Sequence, residues 1–255
     1  MSPDAPAPIL RVEHLTKRFG NITAVDDVSL QIYPDEKTAI IGPNGAGKTT
    51  FTDLVSGSLP STRGTIKFDQ EDVTDLSEYQ RARRGLVRSF QSPQLFEGLS
   101  VLENVLMGIT TRHRRNGQFT TPVAWTHGPE AEASSVLARF GLSEHEHASV
   151  ASLPYGVQKV LDIAITFVLD PALALFDEPT SGVSSADKHG IMRLVTDSVA
   201  DSDVALIFIE HDMELVREYA DRVVALHNGR ILNDGDPEDV LASDVVVEAI
   251  REQGV

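Results

Sequence analysis

Eight consecutive residues, Gly42-Pro-Asn-Gly-Ala-Gly-Lys-Thr49, carry the clearest chemistry in the chain. Gly42, Gly45 and Gly47 can take backbone conformations closed to other residues, so that successive N–H groups turn inward and cradle an anion. Gly42, Gly47, Lys48 and Thr49 stand at the spacing of a nucleotide phosphate loop. In that pattern the Lys48 ammonium reaches the β- and γ-phosphates and the Thr49 hydroxyl ligates Mg²⁺. Pro43, Asn44, Ala46 and Thr50 complete the segment that would wrap the phosphates. A second constellation is Asp177-Glu178, two acids that close the apolar run Ala172-Leu-Ala-Leu-Phe176. A carboxylate at the carboxyl end of a buried strand lies where open α/β sheets bind ligands. Asp177 is there read as a partner of the Mg²⁺ ion. Glu178 is read as the group that orients or deprotonates an attacking water.

Both constellations need a strand to deliver them and a helix to follow. Thr38-Ala-Ile-Ile41 is a short apolar run ahead of the glycine loop, and the helix after the loop points its positive end at the anion. Val28, Leu30 and Ile32 alternate with polar residues, as does Gly64–Phe68, which predicts a β-rich N-terminal edge. Ser100-Val-Leu-Glu103 is a capping box opening a helix with Val101, Leu102, Val105 and Leu106 at helical spacing. Residues 110–128 read as a polar, irregular stretch. Helices follow over about 130–140, closed by Gly141, and about 157–168, stopped by Asp170-Pro171. The last third alternates strand and helix: strands near 172–176, 204–209 and 222–226, helices near 186–200 and 213–220, and a tight turn at Asn228-Gly229. Strand–helix alternation predicts a parallel α/β core, interrupted by a helical segment of about 80 residues.

Composition narrows the function classes. With 255 residues, 41% hydrophobic and 24% charged, the chain is long enough for a substantial core and is not of disordered composition. Lys and Arg total 22 against 38 Asp and Glu, a formal net charge of −16, which disfavours non-specific nucleic-acid binding. The absence of cysteine excludes disulfides and thiolate chemistry. No run approaches the roughly 18 apolar residues of a membrane span. The first eight residues hold three prolines and no apolar core, so they read as a loose tail and not as a secretory signal.

With these motifs in this order, the chain resembles the ATP-binding subunit of an ABC transporter over nearly its whole length. Leu15-Thr-Lys-Arg-Phe-Gly20 places Phe19 where the family stacks an aromatic on adenine. Ser89-Phe-Gln-Ser92 places Gln91 where the family has a lid glutamine that touches Mg²⁺ and senses the membrane partner. Leu153-Pro-Tyr-Gly-Val-Gln158 falls at the family signature, Ser181-Gly-Val-Ser184 at the segment between subunits, and Ile209-Glu-His-Asp212 puts His211 on the γ-phosphate. Tyr155-Gly156, Gln94-Leu-Phe96 to Glu103-Asn-Val105, and His211-Asp-Met-Glu-Leu-Val216 look most like the branched-chain amino acid importer group.

The resemblance implies a phosphate-loop NTPase core of RecA type, with an N-terminal antiparallel β edge and an inserted α-helical subdomain. The ATPase domain would cover 9–255, with 9–88 and 171–255 as the nucleotide-binding core and 89–170 as the helical signature part. Its ligands would be ATP and Mg²⁺, the ion held by Thr49, Gln91 and Asp177. Lys48, Gln91, Glu178 and His211 would act in hydrolysis. Pro154, Tyr155, Gly156 and Val157 would close on ATP bound to a second subunit, identical or not. The chain would sit at the cytoplasmic face of the membrane on transmembrane permease subunits, supplied by an extracytoplasmic solute-binding protein, with no nucleic-acid partner.

Two departures from the family stand out. Pro154 replaces a serine and offers neither hydroxyl nor N–H, leaving the Gly156 and Val157 N–H groups as expected donors. Ser184 replaces an aspartate that serves communication between subunits. The alternative reading is therefore a nucleotide-binding partner whose weakened signature depends on an intact second ATPase. A soluble ABC-type ATPase of DNA repair or translation is disfavoured by the single phosphate loop, the short insert and the acidic charge. His145 and His147 have no helix-face spacing and read as solvated. Arg112, Arg114 and Arg115 form a small basic cluster that reads as a solvated loop, with contact to anionic lipid heads beneath a membrane partner as the alternative.

Overall fold

The computed structural model describes residues 6–115, 128–200 and 202–251. The first part of the expected tail, most of the polar stretch before Gly128, and the Arg114 and Arg115 side chains lie outside them. In chain order, the strands β1 (Leu10–Phe19), β2 (Ile22–Ile32) and β3 (Lys37–Ile41) precede helix α1 (Lys48–Ser56). Then come β4 (Arg63–Phe68), β5 (Glu71–Asp72), α2 (Glu78–Ala82) and β6 (Leu86–Ser89). Three helices follow, α3 (Val101–Arg115), α4 (Pro129–Arg139) and α5 (Tyr155–Val168). The last third runs β7 (Leu173–Asp177), α6 (Ser185–Asp197), β8 (Ala205–Ile209), α7 (Met213–Tyr219), β9 (Arg222–His227), β10 (Arg230–Gly235), α8 (Pro237–Ala242) and α9 (Asp244–Arg251).

Two sheets result. The central one has the order β10-β9-β3-β8-β7-β6, parallel except for the β9–β10 hairpin. The hairpin turn is Asn228-Gly229, both at positive φ, as a type I′ turn requires. The smaller sheet, β2-β1-β4-β5, is antiparallel. The apolar strands of the central sheet alternate between two cores. Ile40, Leu173, Leu175, Ala205, Ile207, Ile209, Val224 and Leu226 face the antiparallel sheet and α1. Ala39, Ile41, Ala174, Phe176, Leu206, Phe208, Val223 and Ala225 face the remaining helices. Burial on both faces is why these strands read as continuous apolar runs.

The capping box forms as the sequence predicts: the Ser100 N–H donates to Glu103 Oε2 at 2.7 Å and the Glu103 N–H to Ser100 Oγ at 3.2 Å. Val101, Val105 and Ile109 on α3 then pack with Ala133 and Leu137 of α4 and Leu161, Ala164 and Val168 of α5. Gly108 allows the close approach of α3 to α5, because a Cβ there would lie 3.1 Å from Val168. The stacked rings of Phe140 and Phe167 (6.3 Å) continue to Phe176 of β7 (5.8 Å), tying the helices to the central sheet. The helix at 101 persists to Arg115, where the sequence predicts irregular chain from 110, because Thr110 and Thr111 return their hydroxyls to the Leu106 and Met107 carbonyls and do not break it. Arg112 is therefore not on a solvated loop as expected: it lies on α3 and pairs with Glu132 of α4. Among the described residues no helix is long and apolar enough to cross a membrane.

Candidate functional site

The phosphate loop links β3, in the middle of the central sheet, to α1. Gly42, Gly45 and Gly47 all have positive φ, at 147°, 78° and 101°. They serve different ends. A Cβ on Gly42 would lie 2.2 Å from the Leu226 carbonyl oxygen, and one on Gly47 would lie 2.4 Å from that of Ala24, so both are required by backbone packing. At Gly45 nothing lies within 4 Å, so its open face is free to approach a ligand. Pro43, Asn44, Gly45 and Ala46 border a groove with His227, Asn228 and Ala249. Gly47 caps α1 with no side chain of its own, so the first-turn N–H groups face outward as donors. Lys48 Nζ is folded over the loop, donating to the Gly42 and Pro43 carbonyls at 2.7 and 3.0 Å. Burial lowers the Lys48 pKa, while Glu178 and Asp177 act to raise it, so both acids lie within its field. Thr49 stands exposed and Thr50 half-buried on the same turn.

Across β8 from β3, β7 ends in Asp177 and Glu178. Asp177 is buried and accepts from Arg88 Nη2 at 3.1 Å, while Arg88 Nη1 donates to Asp53 of α1 at 2.5 Å. Burial raises the Asp177 pKa and Arg88 opposes the rise. Glu178 holds a left-handed backbone, φ 51°, with its N–H on the Ile209 carbonyl at 3.1 Å. Its Oε2 accepts from Gln91 Nε2 at 2.8 Å, and its Oε1 lies 2.9 Å from His211 Nε2. Gln91, Glu178 and His211, separated by as many as 120 positions, therefore meet as one cluster beside Lys48.

The other candidates divide. Tyr155, at the start of α5, joins this cluster: its hydroxyl donates to the Gln91 carbonyl at 3.4 Å and its ring lies 2.7 Å from a Cβ built on Gly182. Pro154, Gly156 and Val157 line a separate groove with Ala186, Gly190 and Ile191. Pro154 is the N-cap of α5 and makes no side-chain cap bond. The Val157 N–H, expected to be an available donor, is engaged by the Pro154 carbonyl at 3.0 Å because the first turn closes on itself. Ser184 caps α6, its Oγ donating to Asp187 Oδ2 at 2.6 Å. Phe19 is half-exposed at the tip of the β1–β2 hairpin, the hairpin whose Ala24 abuts Gly47, with Lys17 Nζ 5.1 Å from its ring centroid.

Three supporting residues escape sequence reasoning. Arg88 joins Asp53 to Asp177. Lys159, on α5, donates to the Gln91 and Glu178 carbonyls. Glu210, at the end of β8, accepts from the Thr180 N–H and hydroxyl at 3.1 and 2.7 Å and from the His211 N–H at 3.3 Å. Burial raises the Glu210 pKa against these bonds and Lys188. The available signal was a charge inside each apolar run: Arg88 after Leu86-Val87, Lys159 within α5, and Glu210 after Ile209.

The residues present suit a magnesium nucleotide. A helix N-terminus and an ammonium supply anion donors, an exposed hydroxyl and a buried carboxylate supply hard oxygen, and the open side of Gly45 admits a phosphate. No group of three or more His, Cys, Asp or Glu poised for an ion by itself occurs among the described residues.

Comparison with known proteins agrees with this geometry. The ABC transporter family profile matches residues 25–181. The chain is 34% identical over 247 residues to the high-affinity branched-chain amino acid transport ATP-binding protein BraF of Pseudomonas aeruginosa, covering 95% of this chain and 97% of that one. It is 35% identical over 250 residues to the corresponding LivG protein of Escherichia coli K12, covering 95% and 97%. Among solved structures, a nucleotide-free ATP-binding cassette from an ABC transporter superposes with TM-score 0.82 at 29% identity, covering 95% of this chain and 98% of that one. The ADP conformation of another such cassette gives 0.82 at 30% identity, with the same coverage.

Proposed function

This chain belongs to the ABC transporter family as an ATP-binding transport ATPase, and from that premise we propose that it powers an importer for branched-chain amino acids or closely related solutes. The observation that carries the catalytic part is Glu178, held between Gln91 and His211 at the end of β7 and facing the Lys48 loop.

Binding comes first. The α1 N-terminus, the loop N–H groups and Lys48 take the phosphates of ATP, and Lys48 exchanges its two carbonyl partners for phosphate oxygens. Thr49, Asp177 and Gln91 are the residues to hold Mg²⁺, which when bound neutralises charge on the β- and γ-phosphates. Arg88 holds the Asp177 carboxylate in place and favours its ionised form against the burial that raises its pKa. In the hydrolytic step a water oxygen bonds to the γ-phosphorus, Glu178 takes the water's proton, and the bond to the bridging β-γ oxygen breaks, leaving ADP and inorganic phosphate. In the structure each Glu178 oxygen has one side-chain partner, Gln91 on one and His211 on the other. Each oxygen keeps a second lone pair, so the carboxylate can accept from the water while Gln91 and His211 hold its orientation. Gln91 lies between β6 and α3, so a shift of the helical segment moves it directly.

The groove beside Pro154, Gly156 and Val157 has no residue of the chain's own phosphate loop in its lining, in keeping with a signature that serves nucleotide on a second ATP-binding subunit. In this reading permease subunits hold the pair at the cytoplasmic face of the membrane, and a solute-binding protein delivers the cargo outside.

Glu178→Gln keeps the shape of the cluster and removes the base. Phosphate release from Mg-ATP should fall about 100- to 10,000-fold while calorimetric ATP affinity holds. Full turnover in this variant would remove Glu178 from the mechanism.

A further inference from the structure

Lys159 is 2% exposed, one turn along α5 from Tyr155. Its Nζ donates to the Gln91 carbonyl at 2.5 Å and to the Glu178 carbonyl at 3.3 Å. These are the two residues whose side chains meet at 2.8 Å. One ammonium thus joins their main chains while an amide–carboxylate bond joins their side chains, closing a ring across β6, β7 and α5. Next on the same helix face, Asp162 accepts from the Ser89 hydroxyl at 2.5 Å and from the Gln94 N–H at 3.2 Å, fixing both flanks of the Gln91 segment to α5. The Tyr155 ring lies 6.0 Å from the ammonium.

A buried ammonium is costly unless it is well partnered. Burial draws the Lys159 pKa down, against the pull of Asp162, Glu210, Glu178 and Asp177. An apolar side chain would fill this space without that cost, yet it would remove the one group that donates to both carbonyls, leaving that of Gln91 with the Tyr155 hydroxyl at 3.4 Å and that of Glu178 with the Ser181 N–H at 3.0 Å. It would also release the left-handed main chain of Glu178, a conformation that persists only where its surroundings enforce it.

Resting on the ATPase reading, we propose that Lys159 is a positioning residue for hydrolysis: it holds the Gln91 and Glu178 main chains in fixed relation, so that the Glu178 carboxylate meets the attacking water and movement of α5 is delivered directly to it. Lys159 does not touch the phosphate loop, so its effect belongs in kcat and not in ATP affinity.

The test uses the purified full chain as wild type, Lys159→Met and Lys159→Arg, with steady-state Mg-ATP hydrolysis, calorimetric ATP binding and thermal melting. Met matches the length without donating; Arg keeps charge and donors. For Lys159→Met, kcat should fall about 10- to 100-fold. KM and ATP affinity should stay within about twofold, the signature of an interaction used only in the chemical step. Lys159→Arg should recover most of the lost kcat. If Lys159→Met does not fold, Lys159→Gln, which keeps donors but not their reach, takes its place in the same comparison. Wild-type kcat in the Met or Gln variant overturns the proposal. So does a parallel loss of kcat, affinity and melting temperature that Arg fails to restore. A wild-type chain that binds ATP and never turns it over defeats the ATPase reading itself, an outcome distinct from an active Lys159→Met.

Discussion

Glu178 shows how much of this site rests on single side chains. Its two oxygens are shared between Gln91 and His211, its main chain is bent into a left-handed conformation, and its neighbour Asp177 is pinned by Arg88. Glu210 does comparable work one strand away, gathering the Thr180 and His211 main chains around one carboxylate. Burial raises its pKa, so in the folded chain it keeps its proton to higher pH than in the unfolded chain. Its ionised form therefore costs stability at neutral pH, and that cost disappears as pH falls through the raised value toward the ordinary carboxyl range. Melting temperatures of wild type and Glu210→Gln, measured from pH 7.5 down to pH 5, should diverge in favour of wild type as the solution is acidified. A constant difference across that range would contradict the assignment. Lys48, Thr49, Asp177 and Glu178 stood out in the sequence because their proposed roles rest on contiguous spacing. Arg88, Lys159 and Glu210 were not, because each acts on partners up to 89 positions away that only the folded sheet brings near.

At the scale of elements, the β3–loop–α1 unit depends on glycines with different duties. Gly47 has no room for a Cβ against the Ala24 carbonyl, whereas Gly45 has open space around it. Both have positive φ, so alanine is strained at either. Gly45→Ala should cost about 1 kcal/mol, near 3 °C in melting temperature for a chain of this size. Gly47→Ala adds a backbone collision, so the loss should be at least about threefold larger. Differential scanning calorimetry of the two variants gives the ordering, and equal losses would refute the division of labour. The elements themselves were largely readable. The apolar runs at Thr38–Ile41, Ala172–Phe176 and Val204–Ile209 became adjacent parallel strands because both faces are covered. The extension of α3 to Arg115 was hidden because its threonines bond back to their own helix. The edge strand β5 is only two residues long and gives no periodicity to detect.

The whole molecule carries a net charge of −16 and is nevertheless built to receive a polyanion. Surface charge is screened over about 8 Å at physiological salt, while the loop N–H groups and Lys48 act at contact distance. The central sheet makes this possible by setting the phosphate loop at the carboxyl end of β3, with the ends of β7 and β8 close by and the Gln91 segment reaching over from β6. The proposed function depends on that loop holding nucleotide. Titration calorimetry of Mg-ATP into the full chain, wild type beside Lys48→Ala, tests it directly. Wild type should bind with measurable heat, and loss of the ammonium's bonds, at about 1.5–3 kcal/mol, should weaken binding about 10- to 150-fold. Indistinguishable isotherms for the two proteins, or no heat from wild type at millimolar nucleotide, would contradict it.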